Sequence, residues 1–218
     1  MTIYSIMVRQ YLRRTLMPKA YSDKERREII RALKDAAAES IAAVGIKRTT
    51  VDDLVAKAHI PKGTFYLFYA SKELLIYDVF MDIHAKIHSK MAGMASALTP
   101  PVSADNLTRV VLAGFEMVRD TGLYRLMVDG EIDALLRKLP DELVEAHHND
   151  PSGDLLMVGR LMPGASEETL MKYSGAFTAL FLATSYRREI GDAVFDDALA
   201  LLVKGLCIQM LGGQNDYD

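Results

Sequence analysis

The chain has 218 residues, half of them apolar and a quarter charged, enough to bury a substantial core in one large or two small domains. No apolar run approaches the roughly 18–20 residues that a membrane-spanning helix needs, and the single cysteine, Cys207, excludes an intramolecular disulfide and a Cys-based zinc site. The net charge of −3 hides an asymmetry: residues 1–70 carry 13 Lys or Arg against 7 Asp or Glu, whereas residues 71–218 carry 13 against 22, so only the first third is suited to meet a polyanion.

Residues 1–20 stand apart as a basic extension, with Arg9, Arg13, Arg14 and Lys19 and no acidic residue. No apolar run follows Arg13-Arg14, which excludes an export signal. The segment reads either as a basic arm that reaches DNA or as sequence ahead of a natural start at Met17.

Beyond it, nearly every segment has helical periodicity, and the fold class is all-α. Ser22-Asp23-Lys24-Glu25 has the form of a capping box, and Ile30, Leu33, Ala37, Ile41 and Val44 then share one face of a helix that ends at Gly45. Lys24, Arg27, Arg31, Lys34 and Asp35 are expected on the opposite, wet face. Thr50-x-x-Asp53 opens a short helix to about Ala58, with Val51, Leu54, Val55 and Ala58 inward. Pro61 breaks it, because proline disfavours helical geometry in the residue before it. A third helix is predicted over 62–69, and a fourth from Ser71-Lys72-Glu73 to about Met91.

After a linker at 98–101, helices are predicted over 105–121, 123–139, 141–148, 154–161, 166–190 and 192–211. Residues 21–72 therefore read as a three-helix, helix-turn-helix domain and residues 73–218 as a larger helical domain.

Two short helices joined by a tight turn, behind a longer first helix, form a unit whose second helix lies in the DNA major groove. The outer face of that helix must be small and polar, and Lys62-Gly63-Thr64 fits: Gly63 admits close backbone approach, and Thr64 donates to phosphate or touches a thymine methyl. Phe65 and Phe68 are expected to face inward, whereas Tyr66 and Tyr69 carry hydroxyls that reach phosphates.

The segments 49–58, 60–66 and 71–75 are similar to the DNA-binding signature of the tetracycline-repressor (TetR) family, with a match over about residues 22–77. The resemblance implies that Thr49 and Thr50 cap the second helix and bind phosphate, that Lys62, Gly63 and Thr64 sit at the groove, and that Tyr66 and Lys72 hold the DNA backbone. The chain departs from the family pattern at His59, where glycine is common, and at Leu67, where a polar phosphate contact is lost.

The resemblance also implies a homodimer that reads a palindromic operator in double-stranded DNA, released by a small-molecule effector. Such a protein is cytoplasmic, has no catalytic residues, and needs no metal or cofactor. Residues 173–186 are apolar around most of a helix, and the last helix has a broad apolar face; Phe177, Leu180, Phe181, Leu199, Leu202 and Leu206 are the expected dimer contacts. An effector pocket is expected within 105–161, lined by Phe115, Arg119, Tyr124, Met127 and Met157, with Arg125, Asp129 and Glu131 as further polar groups.

Two other readings are weaker. A helical-bundle metalloenzyme needs more than the His84/His88 pair and a single Glu145-x-x-His148. A helical dimer that binds only proteins leaves the basic first third unexplained.

Overall fold

The computed structural model describes residues 21–99, 101–121, 124–126, 129–148, 158, 159, 162 and 164–212. These residues contain helices and no strand. The helices are α1 (Asp23–Arg48), α2 (Val51–Lys57), α3 (Lys62–Phe68), α4 (Lys72–Ser96), α5 (Ala104–Arg119), α6 (Glu131–Leu136), α7 (Asp141–His148), α8 (Glu167–Ala183), α9 (Arg187–Ile190) and α10 (Asp192–Gly212), with a 3-10 turn at Thr184–Tyr186. None is long and apolar enough to cross a membrane.

Tertiary contacts divide the described chain into two compact units, one from within residues 1–84 and 125–150 and the other from within 85–124 and 151–218. In the first, Ser22 and Glu25 form the expected capping box: the serine hydroxyl accepts the Glu25 N–H at 3.3 Å, and the carboxylate accepts the Ser22 N–H at 2.7 Å. Leu33, Ala37 and Ile41 are buried, while Val44 lies at the surface.

Helical geometry fails at Gly45, where φ is 81° and ψ 173°, and residues 46–48 continue the helix beyond the kink. Glu131, at the start of α6, fills the break by accepting the backbone N–H groups of Ile46 and Lys47. The predicted helix over 123–139 is interrupted just before it by Gly130, whose φ of 68° is left-handed.

Lys34 departs from the expected wet face. Its ammonium lies 2.8 Å from both Asp78 and Asp82 of α4, and its side chain is only 18% exposed. A lysine on the flank of a buried stripe can follow the apolar face with its stem and place its charge on an inner carboxylate.

In the second unit α10 packs along α5 and against α8, around Leu107, Val111, Phe177, Val203 and Cys207. Lys204 of α10 reaches Asp105 of α5 at 2.8 Å. The predicted single helix over 166–190 divides at Thr184–Tyr186, where the Thr184 hydroxyl donates to the Phe181 carbonyl at 2.6 Å. Most of the segment predicted as helix over 154–161 lies outside the described residues.

Candidate nucleic-acid interface

The turn between α2 and α3 is built by caps and one unusual backbone conformation. Thr50 caps α2 by accepting the Asp53 N–H at 3.2 Å, and its hydroxyl donates to the Asp53 carboxylate at 2.5 Å. His59 adopts φ 54°, so the left-handed turn that favours glycine is made here by histidine. Pro61 then sets the start of α3.

Phe65 and Phe68 are buried, as their spacing predicts, and fix the inner face of α3. The opposite face carries Lys62, Gly63 and Tyr66. Tyr66 is 46% exposed and meets Phe65 edge-on, with ring centroids 5.2 Å apart. A Cβ built on Gly63 would meet no atom within 4 Å, so the surface there is open to a close neighbour. Lys62 is exposed, and its ammonium lies 2.8 and 3.0 Å from the two oxygens of Asp52 on α2. That hydrogen bond, more than the accompanying charge attraction, pushes the Lys62 pKa up.

Four residues expected at DNA are engaged within the fold. Thr49 is buried and donates to the Gly45 carbonyl at 2.7 Å. Thr64 is buried, with its hydroxyl 3.4 Å from that of Tyr21. Tyr69 is 1% exposed and donates to Asp78 at 2.7 Å; burial first, then the Asp78 charge, push its phenol well above the ordinary value, so it remains a donor. Lys72 donates to the carbonyls of Ile46 and Thr49 at 3.2 and 2.6 Å, which closes the end of α1 onto α4. The exposed set that remains is Thr50, Lys62, Gly63 and Tyr66. The Asp52 contact to Lys62 and the Glu131 contact to Ile46 escape sequence reasoning, since a partner ten or eighty-five residues away leaves no local signal.

Residues 33–79 match the family model described as bacterial regulatory proteins, tetR family. The head that these residues form is of the TetR type. Two solved structures share its fold. One is a TetR-family transcriptional regulator from Mesorhizobium loti, 14% identical, with a TM-score of 0.60 over 88% of this chain and 98% of that one. The other is the transcriptional regulator FadR from Bacillus subtilis in complex with stearoyl-CoA, 18% identical, with a TM-score of 0.56 over 84% of this chain and 98% of that one. No curated protein matches the sequence.

The second unit holds a cavity of about 140 Å³ whose lining includes Leu112, Phe115, Arg119, Tyr124, Phe195 and Asp196. Phe115, Arg119 and Tyr124 of the predicted pocket thus come together, while Met127 and Met157 lie outside the described residues. Tyr124 donates to the Thr184 carbonyl. Arg187 binds both oxygens of Asp196 at 2.7 Å and Asp192 at 3.0 Å, and lies 5.2 Å from the Phe195 ring centroid. The Arg187 hydrogen bonds are the foremost reason that the Asp196 carboxyl sits below its ordinary range. Arg119 is more loosely held, 3.8 Å from Glu116 and 4.0 Å from Asp196. Glu131, considered for this pocket, belongs instead to the first unit, at Gly45.

Of the predicted dimer contacts, Phe177 and Leu199 are buried in the core of the second unit, because a helix apolar on all sides first covers its own chain's interior. Leu180, Phe181 and Leu206 are half-buried, and Leu202 is 56% exposed. Beside Leu202, Leu201 is 72% exposed, and Met171, Leu182, Tyr186, Ile190, Val194 and Ile208 add further apolar surface on α8, α9, α10 and the 3-10 turn.

Proposed function

We propose that the chain is a ligand-responsive transcriptional repressor of the cytoplasm, without catalytic activity, that binds a palindromic operator as a homodimer and is released by a small-molecule effector. The observation that carries the reading is α3 itself: Phe65 and Phe68 anchor one face, and the other presents Lys62, Gly63 and Tyr66 to solvent. Such a helix can enter a major groove with its N-terminal residues at the bases. The cavity beside Phe115 and Arg119 is our candidate effector site, and its mixed aromatic and charged lining suits a small molecule with polar and apolar parts. FadR, of the same fold and solved with stearoyl-CoA, supports a ligand-binding role for the second unit. For an effector to release DNA it must bind one state of the protein more tightly than the other.

The test is fluorescence anisotropy with duplexes from around the protein's own gene across a salt series. A palindrome-containing duplex should bind much more tightly than the rest and weaken steeply as salt rises. Lys62→Ala should weaken binding roughly tenfold and lower the salt slope by about 1, and Tyr66→Phe should weaken it several-fold. Weak binding that is equal for all duplexes and unaffected by either substitution would overturn the assignment of α3 as the reading helix.

The homodimer rests on the exposed apolar residues of α8 to α10, which a two-fold four-helix contact would cover. Sedimentation should give a dimer at micromolar concentration, and Leu201→Glu with Leu202→Glu should convert it to a folded monomer. A wild-type monomer at that concentration would remove the dimer from the proposal.

A further inference from the structure

Lys62 stands at the start of the helix assigned to the major groove, yet its ammonium is held by both oxygens of Asp52, at 2.8 and 3.0 Å. The two side chains are 52% and 72% exposed, so the pair lies on the face that Lys62 shares with Gly63 and Tyr66 and is not part of the core. The neighbouring Asp53 is occupied differently: its carboxylate accepts the Thr50 hydroxyl and its N–H is capped by the same side chain. Asp52 therefore brings a negative charge to a surface that meets a polyanion, and its contact there is the lysine that would neutralise a phosphate.

We propose that Asp52 is a specificity-determining residue that competes with DNA phosphate for Lys62 and so suppresses binding to DNA of arbitrary sequence. The proposal rests on the DNA-binding reading above. On a duplex of arbitrary sequence Lys62 stays with Asp52, because exchanging that carboxylate for a phosphate would leave Asp52 unpaired beside the backbone. DNA that offers only phosphates gains little from that exchange. A cognate groove adds contacts from the rest of α3, which offset the same penalty. An acidic residue placed against a basic one in this way lowers non-specific affinity more, in relative terms, than specific affinity.

The experiment uses the full chain and a fluorescein-labelled 30-base-pair duplex of random sequence, with wild type, Asp52→Asn, Lys62→Ala and the double variant. Asp52→Asn is expected to tighten binding about five- to tenfold near 0.1 M salt and to steepen the slope of log K against log salt by about 0.9, the value for one further neutralised phosphate. In the Lys62→Ala background the same substitution should change affinity less than about twofold, since the lysine that it releases is gone. Equal tightening in both backgrounds would show plain loss of a repelling charge and overturn the role assigned to the pair. No tightening in either would overturn it as well. Failure of the wild type and all variants to bind any duplex at low salt would instead remove the DNA-binding reading, and this inference with it.

Discussion

Replacing Gly45 with alanine is expected to lower the melting temperature by about 10 °C, although the site is a single kink in a long surface helix. The φ of 81° and ψ of 173° lie in a region that side chains other than hydrogen rarely enter, and holding alanine there costs about 1–3 kcal/mol. The added Cβ would also stand 2.7 Å from Oε1 and 3.1 Å from Oε2 of Glu131. That overlap alone is cheap to relieve, because the carboxylate ends a flexible side chain. The larger loss follows from its movement: the carboxylate accepts the N–H groups of Ile46 and Lys47, the free donors that a broken helix leaves behind. Two weakened charge-assisted hydrogen bonds add about 1–2 kcal/mol, for a sum near 3 kcal/mol. In a chain of this size each kcal/mol moves the melting point by roughly 2–4 °C.

Circular dichroism melts of Gly45→Ala, Glu131→Ala and the double variant separate the parts. Glu131→Ala alone should cost about 2 kcal/mol. The double variant should fall short of the sum, because both substitutions remove the same hydrogen bonds. A Gly45→Ala melt within 2 °C of wild type would show that the kink relaxes and that Glu131 follows it.

The sequence revealed the local devices and missed the long reaches. Ser22 with Glu25 and Thr50 with Asp53 were readable because a cap and its partner lie three residues apart. The inner face of α3 was readable from Phe65 and Phe68, and the same arithmetic places Tyr69, four residues after Phe65, on that face. Its phenolic hydroxyl had suggested an outward, phosphate-facing Tyr69, and the periodicity was the better guide. Lys34 had a comparable signal: it stands four residues after Ile30 and beside Leu33, on the edge of the buried stripe, but a lysine in a charged run is read as solvated. Lys72 and Glu131 left no such trace. Each satisfies backbone groups near the end of α1 from a distant stretch of chain, and nothing in the spacing of 46, 49, 72 and 131 announces it. The same limit hid the packing with the first unit of the described residues within 125–150, which begin inside the second helix predicted after the linker. On α8 and α10, periodicity marked apolar residues correctly. It could not tell the side that covers the chain's own core, with Phe177 and Leu199, from the side left open, with Leu201 and Leu202.

Lys34→Met is expected to destabilise the head by about 3 kcal/mol, because the lysine is the cation for two carboxylates at once. Its ammonium is 2.8 Å from Asp78 and 2.8 Å from Asp82, and the Asp78 side chain is only 10% exposed. Without Lys34, two acids face each other on α4, one of them largely out of water, and a partner left buried and unpaired costs about 3–5 kcal/mol. The partial exposure of Asp82 keeps the expected value at the low end. Tyr69→Phe removes only the hydrogen bond to Asp78, at about 1.5 kcal/mol for a bond to a charged acceptor. The combined Lys34→Met, Asp78→Leu and Tyr69→Phe variant should recover most of the loss, since no buried charge remains to be solvated. Urea unfolding of the three proteins reads the differences as shifts in midpoint at similar slope. If Lys34→Met costs no more than Tyr69→Phe, the ion pairs contribute little beyond packing of the lysine stem. The phenol–carboxylate bond would then be the principal tie between the end of α3 and α4. If the triple variant is instead less stable than Lys34→Met, the network provides more than neutral packing can replace, and the head depends on its charges for the position of the helix that carries Lys62 and Tyr66.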